Sequence, residues 1–72
     1  MAPAWFPVGP GLRATTRKPY QELEVLPVRG GYRWTVERIA PGTGKFHLVG
    51  HGLEPSSERA QVAAFRSAGI RT

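Results

Sequence analysis

Two glycine-bounded segments between residues 30 and 52, GGYRWTVERIA and PGTGKFHLVGHG, predict a β-hairpin. In the first segment Tyr32, Trp34 and Val36 alternate with polar residues. A period of two places these three side chains on one face of a pleated strand. Proline and glycines between the segments favour a reversing turn. The hairpin therefore has one apolar face, which requires a covering element.

The faces of the hairpin follow from the same alternation. The strand over residues 32–39 is followed by one over residues 45–51. Phe46 and Leu48 are expected on the apolar face, together with Trp34 and Val36. The opposite face is then mildly basic, and its expected members are Lys45, His47, His51, Arg33 and Thr35.

A further strand is predicted over residues 22–28, ELEVLPV, which are rich in β-branched and aliphatic side chains. Proline cannot donate to a central ladder, so Pro27 restricts this strand to a sheet edge. Gly30 and Gly31 reverse the chain before the next strand. Two registers stay open: a two-residue turn sets Val25 opposite Val36, and a three-residue turn sets Leu26 there instead.

The only strong helix pattern lies over residues 55–68, PSSERAQVAAFRSA. Ser56 or Ser57 can cap its first turn, and Gly69 stands where a left-handed C-terminal residue of a Schellman motif belongs. Val62 and Phe65, three residues apart, are expected to face the sheet. The predicted fold class is α+β: a three-stranded antiparallel sheet covered by one C-terminal helix, in the order β-β-β-α, with a flexible N-terminal arm.

The arm comprises residues 1–20, and the small βββα domain comprises residues 21–72. Four prolines and two glycines in the arm resist regular structure. Trp5 and Phe6 are unusual in such a segment, and either dock on the sheet or bind a partner. The start of the sequence has no basic residue before its apolar stretch and is interrupted by prolines, which excludes a secretory signal and favours the cytoplasm.

Composition restricts the chemistry. The 72 residues contain no cysteine, which excludes disulfides, zinc-thiolate sites and thiol catalysis. The net charge of +5 and the isoelectric point near 10.8 favour polyanionic partners, nucleic acid above all. Residues 1–20 contain Arg13, Arg17 and Lys18 and no acidic residue, so most of the excess charge lies in the arm.

Neither catalytic nor metal-binding motifs are complete. Gly42–Lys45, GTGK, precedes a strand, whereas a phosphate-binding loop needs GxxxxGK and a following helix. His47 and His51 on one strand are separated by roughly 13 Å, too far to share an ion. No nucleophile, base and acid occur in a recognisable pattern. We therefore expect no enzyme, no metal and no cofactor.

Residues 31–69 resemble the arm-site DNA-binding domain, a three-stranded sheet plus helix, at the N-terminus of phage integrases of the tyrosine recombinase class. The resemblance is carried by the segments GYRWTVER, PGTGK, KFHLVGHG and SERAQVAAFRSAG. In that family the sheet enters the major groove of DNA. The resemblance therefore implies DNA contacts by Arg33, Thr35, Lys45 and His47.

Two functions are compatible with the sequence. The first is a small non-enzymatic DNA-binding accessory protein of phage or mobile-element origin. Its candidate contact residues are Arg13, Arg17, Lys18, Arg33, Thr35, Lys45 and His47. The alternative is a protein-interaction module that modulates a larger machine. It would use the aromatic pair and the exposed edge strand, namely Trp5, Phe6, Leu23 and Val25. A homodimer is also plausible, because a domain this small has little core of its own.

Overall fold

The computed structural model describes residues 2–71, which form one five-stranded antiparallel sheet and one helix. The elements are β1 (Phe6–Val8), β2 (Gly11–Arg17), β3 (Tyr20–Val28), β4 (Gly31–Ile39), β5 (Phe46–Glu54) and α1 (Ser57–Ser67). Neighbours in sequence are neighbours in the sheet, and α1 packs across β3, β4 and β5. The class is α+β as expected. The predicted three-stranded sheet with a flexible arm is wrong, because residues 6–8 and 11–17 form two further strands.

Strand β2 explains the error. Its sequence, GLRATTR, contains two threonines and a short alternation from Leu12 to Thr15 but no valine, isoleucine or aromatic residue, so the local signal is weak. Its stabilisation is non-local: Ala14 is fully buried opposite Leu23, and the ladder extends from Leu12 opposite Val25 to Arg17 opposite Tyr20. As a result β3 is the central strand and not an edge.

Pro27 is tolerated in this central strand because of where it lies. The register pairs between β2 and β3 end at Leu12 and Val25, so Pro27 lies beyond them. On that side β3 is locally an edge, where proline is acceptable. The expectation of an edge strand over residues 22–28 was wrong because it applied this local property to the whole strand.

The β3–β4 turn consists of Arg29 and Gly30, which sets Val25 opposite Trp34. Both predicted registers are therefore wrong. Gly30 has a φ of 88° and supplies the turn, whereas Gly31 is already part of β4. A Cβ on Gly31 would lie 2.6 Å from the carbonyl oxygen of Glu54. Gly31 thus permits a close approach of β5, and does not form part of the turn.

A β-bulge in β5 changes which side chains face the helix. Val36 pairs with Gly50 and Glu37 pairs with Leu48, which leaves Val49 as the extra residue. Beyond the bulge the alternation is inverted, and Phe46 and Leu48 point away from the helix, 44% and 54% exposed. The expectation that both belong to the core is wrong for this reason.

Two glycines of β5 make room for an indole. Gly50 and Gly52 lie opposite Val36 and Trp34, and the Trp34 ring extends over both. A Cβ on Gly52 would lie 2.8 Å from Trp34 Nε1. Trp34 packs against the core, as the alternation in β4 predicted, but only because β5 presents backbone beneath it.

Alanine dominates the buried core. Four of its seven buried apolar residues are alanines, and the others are Leu23, Val25 and Val36. Ala60 and Ala64 line the buried side of α1. Because their side chains are small, the helix can lie close to the sheet. Larger side chains pack around this centre while remaining partly exposed: Trp5, Trp34, Val49, Phe65 and Ile70. The buried core is therefore small in volume for a sheet of five strands.

The helix ends as the sequence predicts. Ser56 caps it by accepting a hydrogen bond from the Arg59 amide at 3.2 Å. At the other end Gly69 has a φ of 81°, and the Ile70 amide donates to the Phe65 carbonyl oxygen at 2.8 Å. With the Gly69 amide donating to the carbonyl oxygen of Arg66 at 3.1 Å, this is a complete Schellman motif.

Candidate functional surfaces

The face of the sheet opposite α1, called the outer face here, carries large apolar side chains that are exposed to solvent. Residues that lie opposite each other on paired strands point to the same face, so the strand pairing identifies the residues of the outer face. All the exposed large hydrophobic side chains of the described chain lie on it: Phe6, Val8, Tyr20, Phe46, Leu48 and Leu53. Tyr20 and Phe46 are in contact, with ring centroids 6.3 Å apart, and Leu48 and Leu53 lie on the same strand as Phe46, whereas Phe6 and Val8 lie on β1 at the opposite edge. Scattered exposed apolar residues are ordinary, but a contiguous set such as the one on β5 marks an interaction surface.

The charges of the outer face cancel. It contains three arginines and three glutamates: Arg13, Arg17, Arg33, Glu22, Glu24 and Glu37. Within residues 2–71 the one salt bridge joins Arg13 and Glu24, at 3.3 Å. The mildly basic sheet face expected from the sequence is therefore absent from this part of the chain. A neutral, apolar face is poorly suited to contact a line of phosphates.

One pair on this face is electrostatically unfavourable. Glu22 and Glu37 are direct cross-strand neighbours, and like charges in that position destabilise a sheet. The hydroxyl of Tyr20 donates a hydrogen bond to the Glu22 carboxylate at 3.0 Å. That hydrogen bond, followed by partial desolvation, raises the pKa of Tyr20 above its ordinary value. Glu37 is left exposed with no cation near enough to form a salt bridge within residues 2–71.

The excess positive charge is concentrated at one end of the sheet, called the basic end here. This end is formed by the β2–β3 turn, the β4–β5 loop and the residues after α1. Its cationic side chains are Arg17, Lys18, Arg38, Lys45 and Arg71, and His47 lies beside them. The remaining five arginines of the chain are matched in number by its five glutamates. The net charge of +5 is therefore attributable to the basic end.

A buried glutamine organises this end. Gln21 is 1% exposed, and its Nε2 donates to the carbonyl oxygen of Ala68 at 3.1 Å and to Thr16 Oγ1 at 3.2 Å. Its Oε1 accepts from Arg38 Nε at 3.2 Å and from Arg38 Nη2 at 2.9 Å. Because the partner of the guanidinium is a neutral amide, Arg38 is held in place without losing its net charge.

The structure divides the predicted DNA-contact residues into two groups. Arg17, Lys18, Lys45 and His47 lie together at the basic end, all exposed. The others lie elsewhere on the outer face: Arg13 in its salt bridge, Thr35 opposite His51 and Arg33 opposite Leu53. The bulge also places His47 and His51 on opposite faces of β5, because His47 pairs with Arg38 and His51 pairs with Thr35.

The predicted protein-interaction residues do not form one surface. Leu23 and Val25 are buried in the core, at 0% and 1% exposure, so neither is available to a partner. Trp5 docks on the helix, where its ring stacks on Phe65 with centroids 5.2 Å apart. Of this set only Phe6 is exposed on the outer face.

Gln21 was missed by the sequence analysis. Its signal was present, because position 21 is in phase with the apolar positions 23 and 25. A polar residue in phase with a buried face indicates a buried hydrogen-bonding group. The predicted strand began at residue 22 and so left the glutamine out.

Concave features are shallow. An open groove of about 410 Å³ runs beside the helix, lined by Glu54, Glu58, Arg59, Val62, Ala63 and Arg66. Residues 2–71 hold no group of three or more His, Cys, Asp or Glu side chains placed to bind a metal ion. In the same range no helix has the length and apolar character needed to cross a membrane.

Comparisons with known proteins found no match to any family model, to any curated protein or to any solved structure.

Proposed function

We propose that this protein is a small non-enzymatic accessory protein that binds nucleic acid, DNA in particular, through the basic end. The observation that supports this most directly is the clustering of five cationic side chains that account for the net charge. The resemblance to integrase arm-site domains is the reason for preferring DNA and for proposing an origin in a phage or mobile element.

The dimensions of the basic end suit a phosphate backbone. From β2 to β5 there are three strand spacings of about 4.8 Å, so Arg17 at the end of β2 and Lys45 just before β5 are about 15 Å apart across the sheet. Measured along the axis of a duplex, that length corresponds to about four phosphates of one strand, at about 3.4 Å each. Contacts of this kind position a protein on nucleic acid without reading its sequence.

Equilibrium binding to a short fluorescent duplex, followed by anisotropy across a salt series, tests the proposal. Contacts to about three to five phosphates give a log–log salt slope of about −3 to −4.5. Lys18→Glu with Lys45→Glu should abolish binding at about 100 mM salt, where phosphate contacts still dominate. Neither side chain is buried, so the fold is retained.

A matched control separates the basic end from charge in general. Arg29 lies in the β3–β4 turn and Arg59 in the first turns of α1, both exposed and at the opposite end of the sheet. Arg29→Glu with Arg59→Glu changes the net charge by the same amount. We expect this variant to keep most of its affinity. Equal losses in both double variants, or no duplex binding by the wild type at low salt, contradict the proposal.

A second candidate function is favoured by a different observation, the apolar outer face. In this case the protein is a module that binds and modulates another protein, using outer-face side chains and not the edge strand expected from the sequence. The affinity of an apolar protein–protein contact changes little with salt. The same anisotropy salt series, repeated with a labelled partner protein in place of the duplex, therefore distinguishes the two candidates.

A further inference from the structure

Large apolar side chains lie on both faces of the sheet, although α1 covers only one of them. On the covered face Leu23, Val25 and Val36 are buried. On the uncovered face Phe46, Leu48 and Leu53 are exposed, Leu53 at 65%. We infer that the outer face is buried against the outer face of a second copy of this chain, in a two-fold dimer centred on β4. This goes beyond the nucleic-acid proposal and uses different residues.

The outer face is large enough for a stable dimer. The five strands have three, seven, nine, nine and nine residues, and at about 3.3 Å per residue and about 4.8 Å between strands they make a face on the order of 600 Å². Two such faces bury about 1,200 Å² in total, the lower end of the range for a stable interface. Burial of this area would also supplement a core that is small for the chain length.

The charges of β4 are self-complementary. Arg33 and Glu37 lie on the outer face two residues before and two residues after Thr35. A two-fold axis above Thr35, lying in the interface and running across the strands, exchanges these two positions. Each Arg33 then faces Glu37 of the other copy. This gives Glu37 the cation that it lacks within its own chain, in an interface where residue i contacts j and j contacts i.

The same axis matches apolar side chains on β5. Leu53 is the register partner of Arg33, and Leu48 is the register partner of Glu37. The rotation that brings Arg33 over Glu37 therefore brings Leu53 of one copy over Leu48 of the other. Facing sheets pack about 10 Å apart with strands within about 30° of each other, so contacts near the axis are kept despite the sheet twist.

Charge argues for a second copy as the occupant. With three arginines and three glutamates the face is neutral, so it offers no net attraction to a polyanion or to a strongly charged protein. Along β4 the two signs are instead placed so that Arg33 of each copy faces Glu37 of the other. A copy of the same chain is the partner for which both the apolar residues and the charges of β4 find their counterparts.

The test is a charge-swap cycle followed by sedimentation velocity over a concentration series of the full chain. The wild type should reach a dimer. Arg33→Glu and Glu37→Arg should each raise the dimer dissociation constant about tenfold or more, because each places like charges against each other across the interface. The double variant restores opposite charges and should return to within about threefold of the wild type.

Arg29→Glu serves as the matched control, since it makes the same charge change in a turn outside the face and should leave the dimer unaltered. Circular dichroism checks that all variants fold, as expected for exposed side chains. A wild type that stays monomeric at its highest attainable concentration overturns the inference, and so does a dimer insensitive to both single changes. A monomer that binds a different protein through Leu48 and Leu53 overturns it in favour of the interaction module.

Discussion

Gln21 and Ala68, which are 47 residues apart in the sequence, are joined by a hydrogen bond from the glutamine Nε2 to the alanine carbonyl oxygen at 3.1 Å. This bond links the central strand to the C-terminus of the helix. The same side chain also binds Thr16 on β2 and Arg38 on β4, so one buried amide connects four elements. Of the cations at the basic end, Arg38 is therefore held in a fixed position by the core of the fold.

Replacing Gln21 by methionine tests this link. Methionine has a similar length but no amide, so the Ala68 carbonyl oxygen and the Arg38 guanidinium lose their partner. Removing one member of a buried hydrogen-bonded pair costs about 1–3 kcal/mol. Urea unfolding should show a loss of this size, whereas Gln61→Met on the helix surface should change stability by less than about 0.5 kcal/mol. Similar values for both would contradict the role assigned to Gln21.

Local patterns predicted the parts of this fold that depend on local chemistry. The alternation around Trp34 identified the inward face of β4, and Ser56 and Gly69 identified the ends of the helix. The β5 bulge at Val49 left no local signal, because it reflects how β5 fits against β4. The bulge turns Leu48 and Phe46 to the outer face. The predicted core, which included both residues, and the predicted basic face were therefore wrong for the same reason.

The N-terminal strands were missed for a related reason. The segment around Ala14 has no valine, isoleucine or aromatic residue, and its order depends on pairing with β3. Prolines at positions 3, 7 and 10 added to the appearance of a flexible arm. The sequence thus identified four of the basic-end residues but assigned Arg17 and Lys18 to a mobile segment.

The docking of Trp5 on Phe65 predicts that the N-terminal segment contributes to stability. Trp5→Ala removes a stacked ring from a partly buried site and should cost about 1–3 kcal/mol, less than a fully buried tryptophan. Phe6→Ala, one residue later on the exposed outer face, is the matched control. Urea unfolding at a protein concentration that favours the monomer measures both variants. Phe6→Ala should lower the free energy of unfolding by well under half as much as Trp5→Ala. An equal loss of stability at both positions would show that the stacking of Trp5 on Phe65 does not stabilise the fold.

The space beneath the Trp34 indole predicts intolerance at Gly52. A methyl group there would lie 2.8 Å from Trp34 Nε1, which forces the ring or the strand to move. Overpacking of this kind costs about 1–3 kcal/mol. Thermal unfolding should show a clear decrease for Gly52→Ala. His47→Ala, on an exposed position of the same strand, should remain close to the wild type, and an unchanged melting temperature for Gly52→Ala would place the indole elsewhere.

The hydrogen bond between Tyr20 and Glu22 predicts a spectroscopic effect. Glu22→Gln removes the carboxylate that chiefly raises the pKa of Tyr20, so that pKa should fall towards its ordinary value. Tyrosinate absorbance in a Tyr32→Phe background measures it. Because folding raises this pKa, the bond stabilises the fold below about pH 10, and its contribution is lost as the pH rises through the raised pKa. A titration that is the same with and without Glu22 would contradict the contact.

The cross-strand pair Glu22 and Glu37 yields a prediction in which stability and assembly move in opposite directions. Glu37→Lys replaces a like-charge pair by an opposite-charge pair within β3 and β4 and should stabilise the monomer by about 0.2–1 kcal/mol. The same change places a cation against Arg33 of the second copy and should weaken the dimer. Urea unfolding of dilute protein measures the first effect, and sedimentation velocity measures the second.

Glu58→Lys is the appropriate control for this substitution. It makes the same charge change in the first turn of α1, where an acidic side chain interacts favourably with the helix dipole. Its stability should fall slightly and its dimer affinity should stay the same, which is the opposite pattern to Glu37→Lys. If Glu37→Lys stabilises the monomer and also leaves the dimer intact, then Glu37 is outside the interface, and the two-fold arrangement centred on Thr35 is wrong even though the sheet register is right.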